Sequence, residues 1–315
     1  MKIIIAGGTG AIGTAMSTFF LEKGNDVIVL SRQTLPSQRK LKIIKWDGEH
    51  IGEWRNECEG ADVIINLCGK SVNCRYTEKN KLLILQSRLR STRATGKLIG
   101  MLKRPPAVWF NAASATIYKG TLEGPQDEYT GETGSDFSMN VCTDWEREVM
   151  LAHTPFTRKI YLRTSIVLDK NVGALPLYKR IASIGLGGAM GSGEQMMSWI
   201  HIDDVCRAVL FLIDKKEIEG PVNITSPFPI TNAVFMESLR RVLHMPFGVS
   251  NPEWMLRIGT SIIGTEMELL MKSRWVYPQK LLAAGFHFNY PEINEALTDF
   301  FDPKAASSQV ATSGR

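Results

Sequence analysis

The octapeptide AGGTGAIG at positions 6–13 constrains this chain more than any other stretch. It follows the apolar run at 2–6 and opens a helical pattern, so Gly7, Gly10 and Gly13 stand at a strand-to-helix turn with the spacing G-x-x-G-x-x-G. At such a turn the first glycine makes the tight bend, the second lets the backbone approach a pyrophosphate, and the third lets helix pack on strand. The segment around Thr9, Ala11 and Ile12 then offers helix-terminal amides to an anion. A glycine triplet alone is weak evidence. The strand before it, the amphipathic helix after it and a second apolar run from Asp26 supply the context that a dinucleotide site needs.

The end of that second run selects the dinucleotide. An NAD site usually places Asp or Glu about 20 residues past the glycines, where the carboxylate accepts hydrogen bonds from the ribose hydroxyls. This chain reads VIVLSRQ instead. Ser31 and Arg32 offer a hydroxyl and a planar guanidinium, groups suited to a 2′-phosphate and ill suited to a bare diol. The expected cofactor is NADP(H); the alternative is that Arg32 is a solvated loop residue.

Apolar runs at 2–6, 26–30, 41–46, 62–67 and 107–112 read as buried strands, with a sixth at 159–168, and helical stretches follow Gly10, His50 and Thr77. This alternation predicts an α/β fold, a Rossmann-type doubly wound parallel sheet. The sheet domain is expected over 1–170. A smaller, mostly helical C-terminal lobe is expected over 171–302, some of whose segments can return to the sheet, including a short strand near 222–225. The tail at 303–315 lacks apolar periodicity and is expected to be disordered. At the end of the fourth strand, Asn66, Leu67, Cys68 and Gly69 form a turn whose small residues let the backbone come close to a ligand at the switch point of the sheet.

Composition removes other function classes. The five cysteines are odd in number and scattered, and the histidines show no i, i+4 pair, so neither a disulfide framework nor a metal site is expected. No run approaches the roughly 18 apolar residues of a membrane span, and the start MKIIIAGG is too short for a signal-peptide core, so the expected location is the cytoplasm. A net charge of +5 and the basic stretch at 75–104 invite a nucleic-acid reading. Leucines at helical spacing instead make that stretch an amphipathic helix with a solvated basic face, and no aromatic platform accompanies the charge. Within it, Arg88 has two readings, helix surface or partner of cofactor phosphates.

Several further motifs fall in order. They are Asn66-Leu67-Cys68-Gly69, Ser87-Arg88-Leu89-Arg90-Ser91-Thr92, Ser114-Ala115-Thr116-Ile117-Tyr118-Lys119-Gly120, Trp145-Glu146, the block from Gly191 to Asp203, and the segment from Pro278 to Pro291. With the glycine turn they resemble the short-chain dehydrogenase/reductase superfamily, of the extended type that includes nucleotide-sugar epimerases and dehydratases. More narrowly, they resemble an atypical epimerase-like family with a short C-terminal domain of unknown function. The match runs to about Phe301, with Cys68, Ile117 and Lys119 departing from the family's Ala, Gly and Tyr. The resemblance implies an NADP site formed by the glycine turn, Ser31 and Arg32, the Leu67-Cys68 turn, Arg88 and the chain near Val167. It also implies a substrate wall from the C-terminal lobe, and it matches the helices at 77–102 and 140–152 to those through which related enzymes form homodimers.

The superfamily's chemistry uses a Tyr-x-x-x-Lys pair and a Ser that polarises the substrate oxygen. Ser114 ends the fifth strand in the position for that Ser, or it caps a turn; Tyr118 is the nearest phenol, or a packing aromatic. The pair itself is replaced: Cys142 and Glu146 keep its spacing, 28 and 32 residues after Ser114. A thiol is a poor hydrogen-bond donor, and a carboxylate removes the positive field that would stabilise an ionised base. Two classes of function follow. One is an NADP-dependent epimerase or oxidoreductase of a small carbonyl or sugar-like substrate, working through Ser114 and Tyr118. The other is a non-catalytic NADP(H)-binding redox sensor or regulatory protein. Asp203 or Asp204 is expected to cap the helix that follows, His201 to be structural, and the glycines at 185–193 to form a flap.

Overall fold

Strand β1 (Lys2–Ala6) is buried between two parallel neighbours, β2 (Asp26–Ser31) and β4 (Val63–Asn66), and the order of the seven-stranded sheet grows outward from it. In a computed structural model describing residues 1–33, 36, 40–257 and 266–302, β3 (Leu41–Lys45) lies outside β2. On the other side follow β5 (Val108–Ser114), β6 (Arg158–Thr164) and β10 (Gly220–Ile224), all parallel. The order β10-β6-β5-β4-β1-β2-β3 reverses direction between β1 and β4. This is the Rossmann arrangement, and the reversal opens a crevice at the carboxyl ends of those two strands.

Period-two alternation builds the two faces. Ile3, Ile5, Val27, Val29 and Phe110 point to one side and pack with α1 (Ala11–Glu22) and α5 (Ile202–Asp214). Ile4, Ile28, Leu30, Ile64 and Trp109 point to the other, toward α2 (Glu78–Met101) and α3 (Phe137–Leu151). Central strands buried on both faces are why these runs are continuously apolar.

Two predicted elements differ from what is observed. The helix expected after His50 is a short 3-10 turn, Glu53–Cys58, cut off by Gly60 in a left-handed conformation (φ 66°). The long sixth strand splits at Ser165, whose N–H goes to Ile224 O, while Ile166 N–H turns to Ser198 O. The chain thereby changes partner and begins β7 (Ile166–Leu168), which pairs with β9 (Trp199–His201), the strand just after the short β8 (Met196–Met197). A further core joins α4 (Leu175–Ile181), α6 (Asn232–Val242) and the helix Ile293–Phe301 into the C-terminal lobe. Among the described residues no helix is long and apolar enough to cross a membrane. The tail expected to be disordered lies outside the described residues.

The glycine-rich segment is stitched down rather than free as a flap. Gly188 N–H donates to Val249 O, Gly191 N–H to Asn251 O, and Asn251 N–H to Ala189 O. The cap of α5 is His201, whose Nδ1 accepts Asp203 N–H at 3.1 Å. Asp204 serves elsewhere: fully buried, it accepts the N–H groups of Asn289 and Tyr290 and the guanidinium of Arg207. His201 stacks between Tyr290 and Phe300, which makes it structural.

Candidate functional site

The crevice between β1 and β4 is built from close backbone contact. Gly7 adopts φ +77°, and a Cβ there would lie 3.1 Å from Leu67 C and Cys68 N, so the two turns press on each other. A Cβ on Gly13 would stand 2.5 Å from Gly8 Cα, which only a glycine avoids. Helix α1 begins at Gly10 with no side-chain cap and no acidic residue in its first turn. The amides of its first turn, including Ala11 and Ile12, therefore face the crevice with the positive end of the helix dipole. Such a cradle fits a dinucleotide pyrophosphate.

Around this turn the predicted residues divide. Thr9 Oγ1 and Ser31 Oγ are 3.2 Å apart, and Ser31 Oγ also accepts Gln33 N–H at 3.0 Å. Ser31 is buried, so it fixes the loop, while Arg32 stands exposed beside it. Asn66 is fully buried and acts as a fastener: its Nδ2 donates to Asn111 Oδ1 at 2.7 Å and its Oδ1 accepts Cys68 N–H at 3.2 Å. Burial pushes the Cys68 thiol up to about 12, against a smaller opposing pull from Arg32. Gly69 makes room for Arg88, whose guanidinium carbon would be 3.3 Å from a Cβ there. Arg88 donates to Lys70 O and Ile84 O and lies 5.0 Å over the Trp145 ring.

Beyond Arg88 the crevice widens into a cavity of about 220 Å³. Ser114, Cys142, Trp145, Ile166, Met197 and Arg274 are among its walls, so strand ends, α3 and the C-terminal lobe all contribute. Ser114 caps a turn, the second of the roles considered for it, and also lines the cavity. Its Oγ accepts Thr116 N–H at 3.2 Å at the head of the short helix Ala115–Ile117. Ile166 lines this space; Val167, next to it, packs against the sheet core.

Tyr118 is separated from Ser114. It is 1% exposed and is not a cavity wall. Its hydroxyl donates to Asn223 Oδ1 at 2.9 Å and accepts from Arg163 Nη1 at 2.8 Å. Burial pushes this phenol up to about 12, although Arg163 and Asn223 pull the other way. Tyr118→Phe is therefore expected to lower stability by about 1–3 kcal/mol, the cost of leaving a buried donor unsatisfied, and to leave cofactor affinity unchanged. Urea denaturation with cofactor titration checks both.

Glu146 likewise faces the protein. It is 7% exposed and accepts two hydrogen bonds from Arg163, at 2.7 Å and 2.8 Å. Burial works against the Arg163 charge, but the Glu146 carboxylate outweighs it and holds the guanidinium above its ordinary value. Of the replaced pair only Cys142 reaches the cavity; burial pushes its thiol up to about 12, with Arg88 opposing. Sequence reasoning missed this network and also missed Arg274. Opposite charges at 146 and 163, on elements that read as buried, were a usable signal for the first; a lone arginine before Trp275 gave none.

Comparison with known proteins agrees with this layout. Residues 3–138 match the NAD dependent epimerase/dehydratase family, and residues 251–300 match a domain of unknown function (DUF1731). Epimerase family protein SSP1921 of Staphylococcus saprophyticus is 34% identical over 94% of this chain and 98% of its own length. Epimerase family protein YfhF of Bacillus subtilis is 32% identical over 95% and 97%. The crystal structure of human epimerase family protein SDR39U1 (isoform 2) with NADPH superposes at a TM-score of 0.85 and 28% identity, covering 96% of this chain and 99% of that one.

Proposed function

The chain belongs to the NAD-dependent epimerase/dehydratase family, and from that premise we propose that it binds NADP(H) across the β1–β4 crevice in a site that has lost the superfamily's proton relay. The observation that carries the cofactor choice is the end of β2, where exposed Arg32 stands in place of an acid. The glycine turn and the α1 amides take the pyrophosphate, Ser31 orders the loop, and Arg32 takes the 2′-phosphate. The human relative at 28% identity was crystallised with NADPH, which supports this reading. Affinity for NADPH is expected to exceed that for NADH by about 2 kcal/mol, more than tenfold, and Arg32→Asp to erase or reverse the preference. Equal affinities in calorimetry of the unmutated protein would refute the assignment.

The bound nicotinamide supplies a hydride donor or acceptor. Ser114 would orient the oxygen of a small carbonyl or sugar-like substrate in the cavity. Proton transfer is what the site lacks. Cys142 and Tyr118 are both pushed up to about 12, and neither gives or takes a proton readily near neutrality. That observation favours a second reading, a protein that binds NADP(H) and reports on it with little turnover. A broad carbonyl and sugar-nucleotide panel read by NADPH consumption separates the two. Turnover that survives Tyr118→Phe and Ser114→Ala but vanishes in Cys142→Ala would overturn both, because the thiol would then be catalytic.

A further inference from the structure

Two arginines share the cavity, and neither is in an ion pair with any of the described residues. Among the described residues, the side-chain hydrogen bonds of Arg88 and Arg274 go to main-chain carbonyls alone, Arg88 to Lys70 and Ile84 and Arg274 to Ser273. The nearest acids, Glu268 and Asp136, both hold Lys272, so two carboxylates face three cations, Lys272, Arg274 and Arg88, and one positive charge is left over. Burial pulls Arg274 and Arg88 below the ordinary guanidinium range, with Glu268 and Asp136 partly opposing at Arg274. A cation withdrawn from water without a counter-charge destabilises the protein that carries it. Such an arrangement is kept where a ligand brings the missing anion.

The walls indicate what kind of anion. Glu268 and Lys272 line the cavity as an ion pair, and Val72, Ile84, Ile166 and Met197 give the rest of it an apolar side, which a bare inorganic ion would leave uncovered. The volume, about 220 Å³, is below the roughly 300 Å³ at which sites for drug-sized ligands begin, and so suits a small acid better than a nucleotide sugar. A guanidinium fork matches a carboxylate in two parallel hydrogen bonds. We infer that the cavity beside Ser114 takes a small organic acid, its apolar body against these walls and its carboxylate on Arg274 with Arg88 beside it. This names the substrate class of the proposed NADP(H) site and rests on that reading.

The test is calorimetric titration of the NADPH-loaded full chain with three probes: 4-methyl-2-oxopentanoate, its neutral amide, and inorganic phosphate. The acid is expected to bind at least tenfold more tightly than the amide and more tightly than phosphate. Arg274→Met should weaken the acid at least tenfold, leave NADPH affinity within twofold, and melt no lower than the parent when ligand-free, because a half-buried charge with no ion pair has gone. Arg274→Lys, which keeps the charge and loses the fork, should fall between the two. Equal binding of acid and amide by protein that has taken up NADPH overturns the inference and leaves the cofactor reading standing, as does a preference for phosphate. Parallel loss of NADPH affinity in Arg274→Met assigns that residue to the cofactor and also overturns it. If the chain takes up no NADPH, the cofactor reading fails, and the same acid-to-amide ratio on the free chain decides the inference.

Discussion

Glu146→Ala is expected to lower the unfolding free energy by about 3–5 kcal/mol, measured by urea denaturation, because it leaves Arg163 buried and unpaired. The two side chains are 9% and 11% exposed and meet through two hydrogen bonds of 2.7 Å and 2.8 Å. Arg163 in turn anchors the Tyr118 hydroxyl, and Tyr118 anchors Asn223 on the edge strand β10. Losing the carboxylate therefore loosens the junction between α3, β6 and β10 together. The double variant Glu146→Leu/Arg163→Met should lose less than the single one, since an apolar pair of similar size leaves no charge stranded. A loss under about 1 kcal/mol in Glu146→Ala would mean that water reaches the pair and that the network is peripheral.

This network also explains what was legible in the sequence. The sheet was readable because strands buried on both faces must be apolar throughout, and the glycine turn was readable because backbone contact at Gly7 and Gly13 excludes side chains. The division at Ser165 was not, since Lys159 to Leu168 is apolar enough for either one strand or two, and the partner of β7 lies more than thirty residues on. Ser114 was legible from its place at a strand end. Tyr118 was misplaced, because four residues past Ser114 the chain has turned through a short helix and the phenol points into the core. Spacing correctly set Cys142 and Glu146 one helical turn apart on α3. It could not show that the carboxylate would be answered by Arg163, because that contact depends on the register of β6 against β5.

Stability is expected to fall steeply between pH 9 and pH 12, first through the thiols and above pH 10 also through the phenols of Tyr118, Tyr161 and Tyr178, which burial pushes up to about 12. Burial pushes Cys58, Cys68, Cys142 and Cys206 from an ordinary 9.0 up to about 12 in the folded chain. Above pH 9 the unfolded chain releases these protons while the folded chain keeps them, so the folded state binds more protons and loses stability as pH rises. Each thiol contributes about 1.4 kcal/mol per pH unit across that window and nothing below it. Four such groups reach, within about two pH units, the range of about 5–15 kcal/mol that holds a typical domain together. Urea denaturation at pH 8, 9, 10 and 11 measures the slope, and Cys142→Ala should remove about one quarter of the thiol contribution. An unchanged slope in that variant would show that Cys142 ionises as easily folded as unfolded. The consequence for the site follows from the same sign. At neutral pH the cavity presents Cys142 as a protonated thiol, and thiolate would be on the order of 10³ scarcer than for an ordinary cysteine. Any reaction here must therefore take its proton from solvent, because an organic acid held on Arg274 is held as its carboxylate and has already given its proton up.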